Sequence, residues 1–234
     1  MNYLYLIVDL SAISIPLFCS FHPKIALYKQ WHFLWPAILL STTLFVIWDS
    51  YFTKVGVWGF TPAYVSGYYL FHLPIEEILF FICIPYACVF TYFCFEIFLK
   101  KKFKLRYEDE ISILILVLAT LGAILYHDRL YTFYTCLGLL AFLILLKYLI
   151  KVKWLSLFFY SHMFLLIPFF IVNGILTGTG PKNPVVWYNN SENMGVRILT
   201  IPLEDVFYGM LMLLLNVFLF EYFRQKFSGN VSNK

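Results

Sequence analysis

Seven stretches of this chain are apolar for long enough to cross a lipid bilayer, and this constrains its fold more than any single residue does. They run over 3–20, 33–52, 75–99, 111–126, 131–150, 154–176 and 201–223. A spanning helix needs about 20 mainly apolar residues, within a range of roughly 17–25. Hydrocarbon offers no partner to backbone N–H and C=O groups, so each such stretch is predicted to be helical. Only 13% of the residues are charged, against about 25% in soluble domains. The expected class is therefore an all-α integral membrane protein with about seven transmembrane helices. The fourth stretch is short and its turn to the fifth, His127-Asp128-Arg129, is tight, which leaves six spans as the alternative count. No Lys or Arg precedes the first stretch, so residues 3–20 read as a retained helix rather than a cleaved signal.

Loop charge gives an orientation. With seven spans, thirteen basic residues fall on one side: Lys24, Lys29, Lys100, Lys101, Lys102, Lys104, Arg106, Lys147, Lys151, Lys153, Arg224, Lys226 and Lys234. Lys54, Arg129, Lys182 and Arg197 fall on the other. Basic loops stay in the cytoplasm, so the chain is expected in the cell membrane with its N-terminus outside and its C-terminus cytoplasmic. Because the positive charge is spread over loops between apolar segments, the net +4 does not suggest a nucleic-acid partner. Cys19, Cys83, Cys88, Cys94 and Cys136 lie inside apolar segments without Cys-x-x-Cys spacing, and read as small buried side chains. The five histidines have no ligand spacing and no glycine-rich nucleotide motif is legible; no metal and no cofactor are expected.

Against this apolar background one short acidic motif occurs twice, each time at the mouth of a long span. The copies are Leu73-Pro74-Ile75-Glu76-Glu77-Ile78 and Ile201-Pro202-Leu203-Glu204-Asp205-Val206. A structural reading is available: proline at the first helical position with acids in the first turn starts a helix well and offsets its dipole. The duplication of tandem acids favours a functional reading, because a carboxylate in hydrocarbon costs roughly 3 kcal/mol or more. Successive helical residues point about 100° apart, so one acid of each pair is free to face a cavity while the other caps or orients.

The motifs belong to a longer repeat. Glu76 and Glu204 are 128 residues apart, and one helix earlier Ile47-Trp48-Asp49 aligns with Ile171-Val172-Asn173 at an offset of 124, the difference being a four-residue insertion in the second long loop. Phe95-Glu96-Ile97-Phe98 and Phe220-Glu221-Tyr222-Phe223 end the two helices alike. The expected organisation is a first three-helix unit at 1–100, a basic loop and linker helix at 101–127, and a second three-helix unit at 128–234. An offset of four spans preserves direction, so the units form parallel repeats about an axis along the membrane normal. Both motifs then lie at one depth, able to converge on one cavity.

Other acids complete the candidate set. Asp49 sits level with the motifs near the end of the second span, and Asp9 lies about 9 Å into the first at 1.5 Å per residue. Glu96 stands four residues before Lys100, a helical ion-pair spacing, and with Glu221 reads as interfacial. The long loops 53–74 and 177–200 are rich in Gly, Pro, Trp, Tyr and Asn. They read either as an aromatic belt or as a cap over the cavity. Rings lining that cavity would stabilise a carbocation through their quadrupoles.

Duplicated Pro-x-Glu-Glu and Pro-x-Glu-Asp motifs on parallel three-helix repeats resemble the membrane-bound lycopene cyclases, in the fused form with a joining helix. The resemblance covers essentially the whole chain. It implies a non-redox cyclisation of the acyclic ends of lycopene to β-ionone rings, giving γ- and then β-carotene, without a cofactor. Its motif residues carry over to Pro74, Glu76 and Glu77 and to Pro202, Glu204 and Asp205. Glu76, Glu77, Glu204, Asp205 and Asp49 are the candidate catalytic acids, with Pro74, Pro202 and Asn173 as substrate-binding candidates; Asp49 and Asn173 come from the repeat alone. The implied partners are the lipophilic carotenoid and the bilayer, with association with other carotenoid enzymes a further candidate. Two other classes remain: a small transporter or channel using intramembrane acids, and a prenyltransferase-like isoprenoid enzyme, for which Asp49 alone does not supply an Asp-x-x-x-Asp run.

Overall fold

A computed structural model describes residues 3–99 and 103–228. Its long helices follow the apolar runs: α1 (Leu4–Cys19), α2 (Trp31–Lys54), α3 (Ile75–Leu99), α4 (Glu108–Leu125), α5 (Leu130–Ile144, continued by a widened turn to Ile150), α6 (Leu155–Thr177) and α7 (Leu203–Ser228). Six short strands lie in the two long loops: β1 (Trp58–Phe60), β2 (Tyr69–Leu70), β3 (Leu73–Pro74), β4 (Val186–Tyr188), β5 (Arg197–Ile198) and β6 (Ile201–Pro202). The all-α membrane class holds. Five helical segments among the described residues are long and apolar enough to cross a bilayer. The other two are α1, with 16 residues, and α4, whose first turn carries Glu108, Asp109 and Glu110.

The packing is that of a membrane bundle. Large apolar side chains face outward, among them Ile15, Phe18, Leu40, Leu44, Ile47 and Ile124, where lipid is their solvent. Inside, helices are tied by polar contacts that hydrocarbon makes worthwhile, about 0.6 kcal/mol each on average. Asn216 Nδ2 of α7 donates to Ser41 Oγ of α2 at 2.8 Å, and Thr42 Oγ1 donates to the Phe81 carbonyl of α3 at 2.8 Å. At the opposite end from the acidic motifs, Arg224 binds Glu96 at 2.9 Å and Glu221 at 2.8 Å. Glu96 thus pairs across helices with α7. Its expected partner Lys100, like Lys101, Lys102 and Lys234 of the charge count, lies outside the described residues.

The two halves meet through a small antiparallel ladder in which β1 pairs with β4: Trp58 with Tyr188, Gly59 with Trp187, Phe60 with Val186. Adding 128 to each residue of β1 gives β4, so exchange of the halves maps the ladder onto itself about the Gly59–Trp187 pair. The flanking bonds are reciprocal: Thr61 N–H donates to Val185 O at 2.9 Å and Asn189 N–H to Val57 O at 2.8 Å. A Cβ on Gly59 would collide with the Trp187 ring, so with Trp187 opposite it position 59 takes glycine.

One local expectation changes. Pro74 and Pro202 do not open their helices; they end β3 and β6, paired with Tyr69 and Arg197, and the helices begin at Ile75 and Leu203. Proline lacks the N–H that a ladder needs, but as the last residue of a two-residue edge strand it is tolerated. The seventh helix accordingly starts two residues later than the apolar run.

Candidate functional site

Each motif is aimed by a tight hairpin. β2 and β3 turn through Phe71 and His72, both at positive φ, and β5 and β6 turn through Leu199, at φ 58°. The Ile75 N–H then bonds the Tyr68 carbonyl at 2.9 Å and the Leu203 N–H bonds the Val196 carbonyl at 3.0 Å, fixing where each helix begins. These contacts recur at 128 residues, and so do those of the first acid. Glu76 Oε1 accepts the Ser66 N–H at 2.7 Å, and Glu204 Oε1 accepts the Met194 N–H at 2.6 Å and the Thr132 hydroxyl at 2.5 Å. Both side chains are fully buried and hold the preceding loop against the helix.

The second acid of each pair turns inward. Glu77 Oε2 accepts the Tyr5 hydroxyl of α1 at 2.5 Å, and Asp205 Oδ1 accepts the Tyr131 hydroxyl of α5 at 2.5 Å. Asp205 has a further donor: its Oδ2 accepts the Tyr188 hydroxyl at 3.0 Å. The residue corresponding to Tyr188 in the first half is Phe60, which has no hydroxyl to offer Glu77. Burial, with the Asp205 carboxylate beside it, pushes the Tyr188 phenol well above its ordinary value, so Tyr188 stays a proton-bearing donor.

Glu77, Asp205 and Asp49 line one end of a cavity of about 230 Å³ enclosed by α1, α3, α6 and α7. Asp49 is buried and its Oδ2 has no hydrogen-bond partner. From the acids the cavity follows α3 to Thr91, fourteen residues or about 21 Å at 1.5 Å per residue, and α6 to His162. Its walls are mostly apolar, with no Lys or Arg among the described lining residues. Trp58 sits above the acids, its ring 5.0 Å from Tyr131, 6.1 Å from Tyr188 and 6.2 Å from Tyr208. Carboxylates and π-faces surround this end, so a positive charge developing there meets attraction from several sides. Among the described residues no group of three His, Cys, Asp or Glu side chains is arranged to hold a metal ion.

The structure thus gathers Glu77, Asp205, Asp49 and Asn173 on one cavity. Asn173 lies on the α6 wall and donates to the Phe169 carbonyl at 3.3 Å. Glu76 and Glu204 stand one residue behind, turned to the loops, and Pro74 and Pro202 are buried in their strands away from the lining. Sequence reasoning missed the three tyrosines. The signal for two was present: Tyr5 and Tyr131 recur at an offset of 126, close to that of the motifs. Asp9 lies on the α1 stripe that includes Tyr5, Ala12 and Pro16, is fully buried, and has neither oxygen partnered.

A family model described as lycopene cyclase matches residues 2–95 and 128–223. The first segment contains Tyr5, Asp49, Glu76 and Glu77; the second contains Tyr131, Asn173, Tyr188, Glu204 and Asp205. No curated protein and no solved structure matches the chain significantly. The matched segments take in both acidic motifs, their phenol donors and most of the sequence, and the chain belongs to the lycopene cyclase family.

Proposed function

We propose that this chain closes the acyclic ends of lycopene into β-ionone rings by proton transfer between carboxyl groups of one membrane-embedded site. The observation that carries this reading is the convergence of Glu77, Asp49 and Asp205 on a single apolar cavity, each in a different hydrogen-bonding state. A carboxyl that accepts two phenol hydrogen bonds has its anion well satisfied; one that accepts none or one is better suited to hold a proton. Asp205 is the first kind, Asp49 and Glu77 the second.

The steps balance without a redox partner. Glu77 or Asp49 gives its proton to the terminal carbon–carbon double bond, leaving a tertiary cation. The neighbouring double bond attacks that centre and closes a six-membered ring, moving the positive charge into the ring. Asp205 removes the adjacent ring proton, giving the β-type double bond. One proton enters and one leaves, so each turnover ends with the proton moved between carboxyl groups of the same cavity. Trp58 and Tyr208 supply π-faces while the charge is present. Glu76 and Glu204 act as positioning residues that hold the capping loops. The basic-loop bias supports an outer-face position for the acid-bearing end of the cavity and a cytoplasmic C-terminus. The two matched segments support the division into a first three-helix unit, a linker helix and a second unit.

The test is expression in a bacterial host that accumulates lycopene, with the pigments separated by chromatography. Conversion to carotenes bearing β-rings is the expected outcome. Unchanged lycopene with the protein present in the membrane, or rings of another double-bond position, would overturn the reading.

A further inference from the structure

The cavity that holds the acids lies on one side only of a molecule whose halves are otherwise related by exchange, and the residues that break the symmetry are identifiable one by one. Helices α3 and α7 correspond at an offset of 128. Helices α2 and α6 correspond at 124: Val57 N–H bonds Phe52 O, and Val185 N–H bonds Leu176 O. In the first half Phe45 of α2 packs on Phe81 of α3 with ring centroids 5.9 Å apart, and Trp48 stacks on Phe45 at 6.0 Å. Phe45 and Phe81 are buried, and their contact fills the space between α2 and α3.

In the second half the same positions hold Phe169, Gly209 and Val172. Phe169 keeps the ring of Phe45, but the partner ring is gone and the indole has shrunk to an isopropyl group. A Cβ on Gly209 would already lie 3.3 Å from Phe169 Cε2, closer than a comfortable contact. All three residues line the cavity that reaches the acids. The corresponding place in the first half, lined by Phe45, Trp48 and Gly138, is a groove that includes none of them.

We infer that Gly209 is the residue that sets what this enzyme admits: with Val172 it leaves the volume between α6 and α7 in which the substrate's polyene chain lies, so that an acyclic isoprenoid end reaches the acids from this side alone. This rests on the cyclase reading above. A stiff conjugated chain threads one route at a time, so its two ends are handled in separate visits. A product carrying one ring therefore leaves the site before the second ring is made.

The experiment compares the wild-type chain with Gly209→Phe, which copies Phe81, in lipid vesicles loaded with lycopene, after folding has been checked by circular dichroism and gel filtration. Gly209→Ala is expected to slow conversion, and Gly209→Phe to reduce it about 10²-fold, the scale expected when a substrate is displaced by about 1 Å. Adding Phe169→Ala to Gly209→Phe is expected to restore most of the rate, which a purely structural defect would not allow. Phe81→Gly, at the corresponding place in the first half, should leave the wild-type route working. Val172→Trp, which copies Trp48, applies the same block from α6 without touching α7. A folded Gly209→Phe or Val172→Trp that converts lycopene at the wild-type rate overturns the inference and leaves the cyclase reading standing. A wild-type chain that leaves lycopene unchanged overturns both.

Discussion

Replacing Tyr131 and Tyr188 by phenylalanine, singly and together, tests the assignment of Asp205 as the base. Both substitutions keep the ring, and so keep the stack at 5.8 Å and the contacts with Trp58. Each removes one hydroxyl from one oxygen of the same carboxylate. A hydrogen bond to a charged group contributes about 1.5–3 kcal/mol, and each 1.36 kcal/mol is roughly tenfold in rate. The longer bond, from Tyr188 at 3.0 Å, belongs at the low end, so Tyr188→Phe is expected to slow cyclisation about tenfold. Tyr131, at 2.5 Å, belongs higher, and Tyr131→Phe should cost between about 10-fold and 100-fold. The double variant leaves Asp205 buried without either phenol donor. Its loss should exceed the product of the single losses, with a coupling of about 0.5–3 kcal/mol. The assay is the initial rate of ring formation by purified protein in lycopene-loaded vesicles, each variant matched to wild type by thermal unfolding. A double variant that keeps more than about a tenth of the wild-type rate refutes the reasoning, because the phenols would then not be holding the anion on which the last step depends.

Glu77→Gln and Asp205→Asn are each expected to abolish ring formation while preserving hydrogen-bond acceptors at Tyr5 and Tyr131; a variant of either that still cyclises at more than about a hundredth of the wild-type rate removes that residue from the mechanism. Phe60→Tyr would offer Glu77 the second phenol that only Asp205 now has, stabilise its anion, and lower the rate about tenfold, read in the same vesicles. Glu204→Ala strands the half-buried Met194 N–H and the buried Thr132 hydroxyl; it should lower stability by about 1–3 kcal/mol, seen as a fall in the unfolding midpoint in detergent, a fall that Glu204→Gln should largely avoid. Arg224→Leu leaves Glu96 and Glu221 without their cation and is expected to destabilise the chain by roughly 3 kcal/mol, with the ring-forming rate of the folded fraction unchanged because the cluster lies at the far end of α3 and α7.

The parts of this architecture that sequence displayed are those with a strong local period or a strong local penalty. Apolar runs of twenty residues have one solution in hydrocarbon, and the helices lie where those runs are. Carboxylates in such runs are costly enough to attract notice, and Glu77, Asp205 and Asp49 do share a cavity. What stayed hidden depends on direction rather than identity. The 100° between the acids of each motif separates one for the cavity from one for the cap but does not say which; the loop N–H groups of Ser66 and Met194 hold the first and leave the second to the cavity. Proline at a helix start is common, so the sequence points Pro74 and Pro202 to the helix, whereas a two-residue strand is too short to have a period. The phenols were hidden because tyrosine is frequent in this chain, 18 residues, and only the contacts show that three of them face the carboxylates of the cavity.

The repeat bears on how two acids that share a motif would take the opposite roles proposed for them. Symmetric halves would give both inward carboxyls the same partners, and neither would be set apart as donor or acceptor of the proton. Here the two environments diverge at a few positions. Tyr188 faces Asp205 where Phe60 stands in the other half, Asp49 accompanies Glu77 where Asn173 stands, and Asp9 on α1 has Thr135 as its counterpart on α5. Each difference moves the same way: extra carboxyls with unpartnered oxygens collect around Glu77, and a second phenol donor is added at Asp205. Gly209 and Val172 break the symmetry of shape on the same side that these residues break the symmetry of charge. In the proposed cyclisation a duplicated frame thus supplies two acids at one depth, and the departures from duplication fit the side of Glu77 and Asp49 for giving a proton and Asp205 for taking it.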